Sequence, residues 1–308
     1  MTISSSSAER VIMLYHAAIR QGSLVTVGEL LRLLPESASE LDLAEAIAST
    51  PYLSSRFELN GGYLTERARV PMAVPGEEEL QNRVAAKMNM VHAVHFVSLL
   101  RSNPFKMIAV SGSTSYGSAS HSRDLDLFCV APTGRLWLSL SEGLVMARVS
   151  DLFHRDAPKV CFSCIMDEDY ARFAFASERD PLFARDALET KVLKGHALYE
   201  SLMKRAAWIS ILFPVAYGRV RESSASGEVG APPSSWDLAL NRVLSVFVGG
   251  FLRLKSTFLN RKLMTARRGG DVFVVNSAED HLIYESRRYT DLRREYRALL
   301  EDQGGRSA

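Results

Sequence analysis

At 308 residues, with 47% hydrophobic and 23% charged residues, the chain is long enough for two or three small domains and a sizeable core. A formal net charge of +2 supplies no global electrostatic pull toward nucleic acid. The N-terminus MTISSSSAER has no basic segment ahead of an apolar one, no apolar run approaches the ~20 residues of a membrane span, and three cysteines make no disulfide framework. A cytoplasmic protein without a membrane partner is expected.

Residues 1–72 read as one unit. AERVIMLYHAAIRQG places Val11, Leu14, Tyr15 and Ala18 on one helical face and stops at Gly22. TVGELLRLL opens with Thr26 as N-cap and Glu29 at capping-box spacing. ELDLAEAIAST is a third helix, stopped by Pro51, and RFELNGGYLTE is a hairpin around Asn60-Gly61-Gly62. Three helices and a hairpin suggest a winged helix-turn-helix. Residues 1–69 nevertheless hold six arginines, no lysine and eight acids, a poor face for phosphate. Duplex DNA is therefore an unlikely partner, and a structural or protein-contact role is expected instead.

VPMAVPGEEE is a linker, and the core is expected over 78–178. It reads as helix EEELQNRVAAKMNMVHAVHFVSLL, strand KMIAVS, strand LDLFCVA, helix RLWLSLSEGLVMARVSDLF and strand KVCFSCIMD, an α/β (α+β) layer with a small mixed sheet. Residues 179–308 read as a helical region, with 221–235 a flexible linker by composition. His92 and His95 stand three apart with no carboxylate at metal-ligand spacing, and Cys161-x-x-Cys164 lies in an apolar strand with no second pair. Ordinary histidines and structural thiols are the expectation for both. Residues 239–308 hold thirteen basic residues against eight acids, which suits RNA or another polyanion, although a solvated helix face is the commoner origin of such a run.

SGSTSYGSASHSRDLDLFCV, residues 111–130, is the segment with chemistry in it. Gly112 and Ser113 leave a strand at a bend where backbone amides and a hydroxyl can cradle an anion, and small residues follow. Asp124 and Asp126 flank Leu125, so both carboxylates leave one face of the next strand. Like charges side by side are unfavourable unless a cation lies between them. A hard divalent ion takes one or two carboxylates together with substrate phosphates, so the pattern points to metal-assisted phosphoryl transfer.

Gly-Ser, ten residues and Asp-x-Asp between two strands resemble the nucleotidyltransferase superfamily of DNA polymerase beta. The wider arrangement is similar to predicted bacterial and archaeal nucleotidyltransferases that carry an N-terminal winged helix. The resemblance runs over most of residues 75–300, through KVCFSCIMDEDYARF and LFARDALETKVLKGHALYESLMKRAAWI and more faintly into DHLIYESRRYTDLRREYRALL. It implies that Gly112, Ser113, Thr114 and Arg123 meet the nucleotide, ATP or another NTP, with His121 bordering the site. It implies that Asp124 and Asp126 hold Mg2+ or Mn2+. Active members carry a third carboxylate on the strand matching KVCFSCIMD; here Ser163 falls where this group tends to have Asn, and the nearest acid is Asp167 at the strand's end. Asp167 shares the period-2 face of Ser163 and is the candidate catalytic base, or else a solvated turn residue in DED. The implied activity is transfer of NMP from NTP to an acceptor hydroxyl of RNA, protein or a small molecule. The alternative is an NTP-binding regulatory protein with little or no turnover.

Overall fold

The computed structural model describes residues 5–20, 24–34, 36–67, 77–100, 102–117, 119, 124–154, 157–221, 234–265, 272–287 and 289–294. It is a mixed α/β protein with one three-stranded and one six-stranded sheet. Among the described residues no helix is long and apolar enough to cross a membrane.

The first unit runs α1 (Ser5–Arg20), β1 (Val25–Thr26), α2 (Val27–Leu33), α3 (Glu40–Ser49), α4 (Pro51–Arg56), β2 (Phe57–Asn60) and β3 (Tyr63–Glu66). The Thr26 hydroxyl caps α2 by accepting the Glu29 amide at 3.1 Å, and Ser39 with Asp42 forms a capping box on α3. Gly61 and Gly62 take positive φ at the hairpin tip. As expected, α3 stops just ahead of Pro51, with Thr50 extended between them. Pro51 then opens the short α4 at the first-turn position, where its missing N–H has no partner to lose.

The second sheet is built along α5 (Glu77–Leu99), β4 (Met107–Val110), α6 (Gly112–Ser115), β5 (Asp124–Ala131), α7 (Leu136–Phe153) and β6 (Lys159–Asp167). There follow α8 (Glu168–Ser177), α9 (Pro181–Glu189), β7 (Lys191–Lys194), α10 (His196–Arg205), α11 (Ile209–Leu212), α12 (Pro214–Arg221), α13 (Ser235–Thr265), β8 (Phe273–Ser277) and β9 (His281–Ser286). The strand order is β7-β4-β5-β6-β9-β8. Only β5 and β6 run parallel, joined across one face by α7. The expectation of a purely helical region after residue 179 is corrected, because β7, β8 and β9 complete this sheet. KVLK is only four residues long, and partners on β4 rather than local propensity hold it extended.

β5 divides its side chains between two cores. Leu125, Leu127, Cys129 and Ala131 pack with α5 and α7, whereas Phe128 and Val130 pack with α8–α12 and the first unit. Along β6 the register moves from Asp126↔Cys161 to Phe128↔Cys164, so β6 carries one extra residue there, a bulge. Beyond it Ile165 joins the α7 core and Met166 the opposite one.

Candidate functional site

β4 and β5 run antiparallel, with Val110 opposite Leu127, and this pairing brings the Gly-Ser bend to the aspartates. The Ser111 amide extends the ladder by donating to the Asp126 carbonyl at 2.9 Å. Gly112 then turns with φ +63°, a conformation that favours glycine. A Cβ at this position would stand 2.7 Å from Asp126 Oδ2. The carboxylate of Asp126 therefore lies directly against the bend, and both backbone conformation and space require glycine there. The Ser115 hydroxyl donates to the Gly112 carbonyl at 2.8 Å and closes the short α6 on itself.

Asp124 is exposed at the start of β5, and Asp126 is partly covered two residues on. Burial pushes the Asp126 carboxyl up to about 6, and repulsion from Asp124 adds to the shift. A hydrogen bond with the Cys161 thiol, its register partner on β6, opposes both. The same burial and the two carboxylates raise the Cys161 thiol, while the charge of Lys255 on α13 acts the other way. Two acids converge, in short, with a thiol across the strand.

A carboxyl whose pKa is raised on folding is most stabilising when protonated. That contribution is complete below 3.8 and disappears as pH rises through about 6. Asp126→Asn, which never ionises, should accordingly stabilise the metal-free protein by about 1–3 kcal/mol at pH 7. The gain should vanish near pH 4, as thermal denaturation across pH will read.

Asp167 is not part of this cluster. It pairs with Ala131 at the far end of β5, five residues from Asp126, or about 16 Å along the strand. The β6 bulge also reverses the alternation, so Asp167 belongs to the opposite face. Its carboxylate caps α8, accepting the Tyr170 amide at 2.9 Å and the Gly134 amide at 3.1 Å. The expectation that Asp167 acts as the base at Asp126 is thus corrected.

Thr114 is buried, and its hydroxyl accepts from Asn89 of α5 at 3.2 Å, so it anchors the bend rather than lining its open side. Ser113 is half-exposed beside Gly112. Arg123 and His121 lie outside the described residues. His92 and His95 face a third imidazole, His154 at the end of α7, with ring centroids 6.3 and 5.2 Å away. Burial, then the neighbouring His154 and His95, lowers the His92 pKa. Among the described residues no three or more histidine, cysteine or carboxylate groups are arranged to hold a metal ion. Cys129 is buried, while Cys161 and Cys164 are only partly covered.

The bend is tied to the first unit through residues that, Glu29 apart, sequence reading did not single out. Tyr116 and Tyr289 both donate hydroxyl hydrogen bonds to Asp186 of α9. Arg185, almost fully buried, lies over the Tyr116 ring at 4.3 Å and pairs with Glu29 of α2 at 3.1 Å. Arg32 of α2 pairs with Glu189 at 2.5 Å. The residue pattern of α9 held no signal for this, since its partners come from α2, the bend and the chain near residue 289. Lys255 had a faint signal only, as one member of the basic C-terminal stretch.

The chain was compared with protein-family models, curated proteins and solved structures, and none matches.

Proposed function

We propose that this protein is a nucleotidyltransferase that moves a nucleoside monophosphate from a nucleoside triphosphate to an acceptor hydroxyl. The observation that carries this reading is the contact of the Asp126 carboxylate with the Gly112 bend, with Asp124 beside it. A partly covered carboxylate with a second one beside it, packed against a glycine turn, is an arrangement that a cation and a polyphosphate would stabilise together.

Two carboxylates suit magnesium or manganese, which completes its shell with phosphate and water oxygens, and Asp124 and Asp126 would hold it. Bound there, the ion would supply positive charge to the phosphate oxygens. The chain's own contribution is positional. Gly112, without a side chain, lets the Asp126 carboxylate lie against the bend, so that an ion held by Asp126 would sit beside the backbone amides and the Ser113 hydroxyl. In the reaction the acceptor oxygen bonds to the α-phosphorus and the bond from that phosphorus to the pyrophosphate oxygen breaks. The hydroxyl proton leaves to solvent.

The first unit is read as a winged helix used for contacts within the chain and with protein, since Glu29 and Arg32 of α2 are engaged by α9. RNA or another polyanion is the acceptor class that suits the basic C-terminal stretch.

A second reading, NTP binding with little or no turnover, is favoured by one observation: Cys161 stands across from Asp126 while Asp167 faces the other way. Incubation of cell extract with each α-labelled NTP and magnesium separates the two. Label transfer that the Asp124→Asn plus Asp126→Asn protein loses by at least about a thousandfold is the expected result. Magnesium-dependent NTP binding without any transfer would establish the second reading, and absence of binding would refute both.

A further inference from the structure

α13 is fastened to the body along one side. Asn241 accepts the Trp137 amide at 2.7 Å, Gly249 lies against the Trp137 ring, and Leu252 is buried. Arg242 bonds Glu279 at 2.8 Å and Arg253 bonds Ser277 at 2.8 Å, which folds both long cations down toward β8 and β9. At 100° per residue, Trp236, Leu240, Val243, Phe247, Phe251, Leu254 and Phe258 fall on the side away from these anchors. All seven are between 46 and 83% exposed. The stripe contains no charge and extends about 33 Å.

Its spacing is a palindrome. From Phe247 the apolar positions stand 4, 7 and 11 residues away in both directions. A two-fold interface requires that if one position meets a second, the second meets the first. Two antiparallel copies of α13 related by a two-fold axis at Phe247 meet this condition at every step. Trp236 then meets Phe258, Leu240 meets Leu254, Val243 meets Phe251, and Phe247 meets its own copy. Gly250 sits beside Phe247 on the exposed side with nothing within 4 Å of where a Cβ would be. A mid-helix glycine lowers helix stability by about 1 kcal/mol. Here no neighbour among the described residues requires it, and a second helix would find room there for an aromatic ring.

The area is sufficient. Four exposed aromatics, at 150–250 Å² each when fully buried, offer on the order of 500–600 Å² per copy. The three aliphatic residues bring the total near the ~800 Å² per partner of a standard stable interface. An apolar patch of this size exceeds what a monomer usually shows to water.

We propose that α13 is a homodimer interface in which two copies pair antiparallel through this stripe about Phe247. Sedimentation velocity of the full chain at micromolar concentration should give twice 34.2 kDa. Phe247→Asp should weaken association by on the order of a hundredfold while circular dichroism and melting stay those of a folded protein. Phe247→Cys should cross-link to itself under mild oxidation. Trp236→Cys alone should not, but should cross-link when mixed with Phe258→Cys, and the wild type supplies the background of its three native cysteines. A wild-type monomer, with the stripe covered by another part of the chain or by a different partner, would overturn the proposal. So would a dimer that survives Phe247→Asp, or self-linking of Trp236→Cys as fast as Phe247→Cys, which would mean a parallel pair.

Discussion

Gly195→Ala should destabilise the protein by about 3 kcal/mol or more, enough to lower the melting temperature by roughly 5 °C. Gly195 joins β7 to α10 with φ +80°, so any side chain there begins with the 1–2 kcal/mol strain of the left-handed region. Space adds more. A Cβ would stand 2.2 Å from the Lys106 carbonyl oxygen and 2.8 Å from the Met107 Cα. These are backbone atoms at the start of β4, a strand held on both sides by β5 and β7, so they cannot swing aside as a side chain would. Gly218→Ala is the matched control. That glycine is helical with nothing within 4 Å of the Cβ position, so alanine should gain about 0.5–1 kcal/mol. Thermal melts of the two variants should move in opposite directions.

Arg185→Ala is expected to cost about 3–5 kcal/mol, the usual penalty for removing one partner of a buried ion pair. The guanidinium is 1% exposed, between the Glu29 carboxylate and the Tyr116 ring. Its loss leaves the Glu29 carboxylate without this cation and Tyr116 without its stacking partner. Adding Glu29→Gln should return at least about 1 kcal/mol, because the stranded charge is then gone. A double-mutant cycle by denaturant unfolding reads this coupling. Purely additive losses would mean that the pair contributes packing alone. Because Tyr116 lies in the same bend as Gly112, Arg185→Ala should also loosen magnesium-dependent nucleotide binding if the proposed function is right.

Much of the architecture follows from local pattern. β6 has the bounds that the apolar run KVCFSCIMD suggests, and α2 starts at the Thr26 cap. Contact between the Gly-Ser bend and the Asp-x-Asp strand was also legible. An antiparallel β4–β5 pair joined by a polar loop leaves residue 112 facing residue 126 with few alternatives. What failed was whatever depended on a distant partner. β7 is four residues long and β8–β9 form a hairpin, and both are strands because the sheet edges receive them. The placement of Asp167 failed for a different reason. Period-2 reasoning assumes an uninterrupted strand, and nothing in Phe162-Ser163 announces that a residue is skipped. The buried polar group around Asp186 draws on four separate parts of the chain, so no window of sequence contains it.

The skipped residue near Ser163 decides which of two hydrophobic layers receives each later side chain of β6. Deleting that one extra residue should restore plain alternation and keep the later pairs, Phe128↔Cys164 to Ala131↔Asp167, as they are. A second residue inserted there and left in the ladder would do the opposite: Met166 would turn toward α7, Ile165 toward α8, and Asp167 would come off the amides of Tyr170 and Gly134. Near Ser163 the strand should therefore absorb the loss of a residue far better than the gain of one.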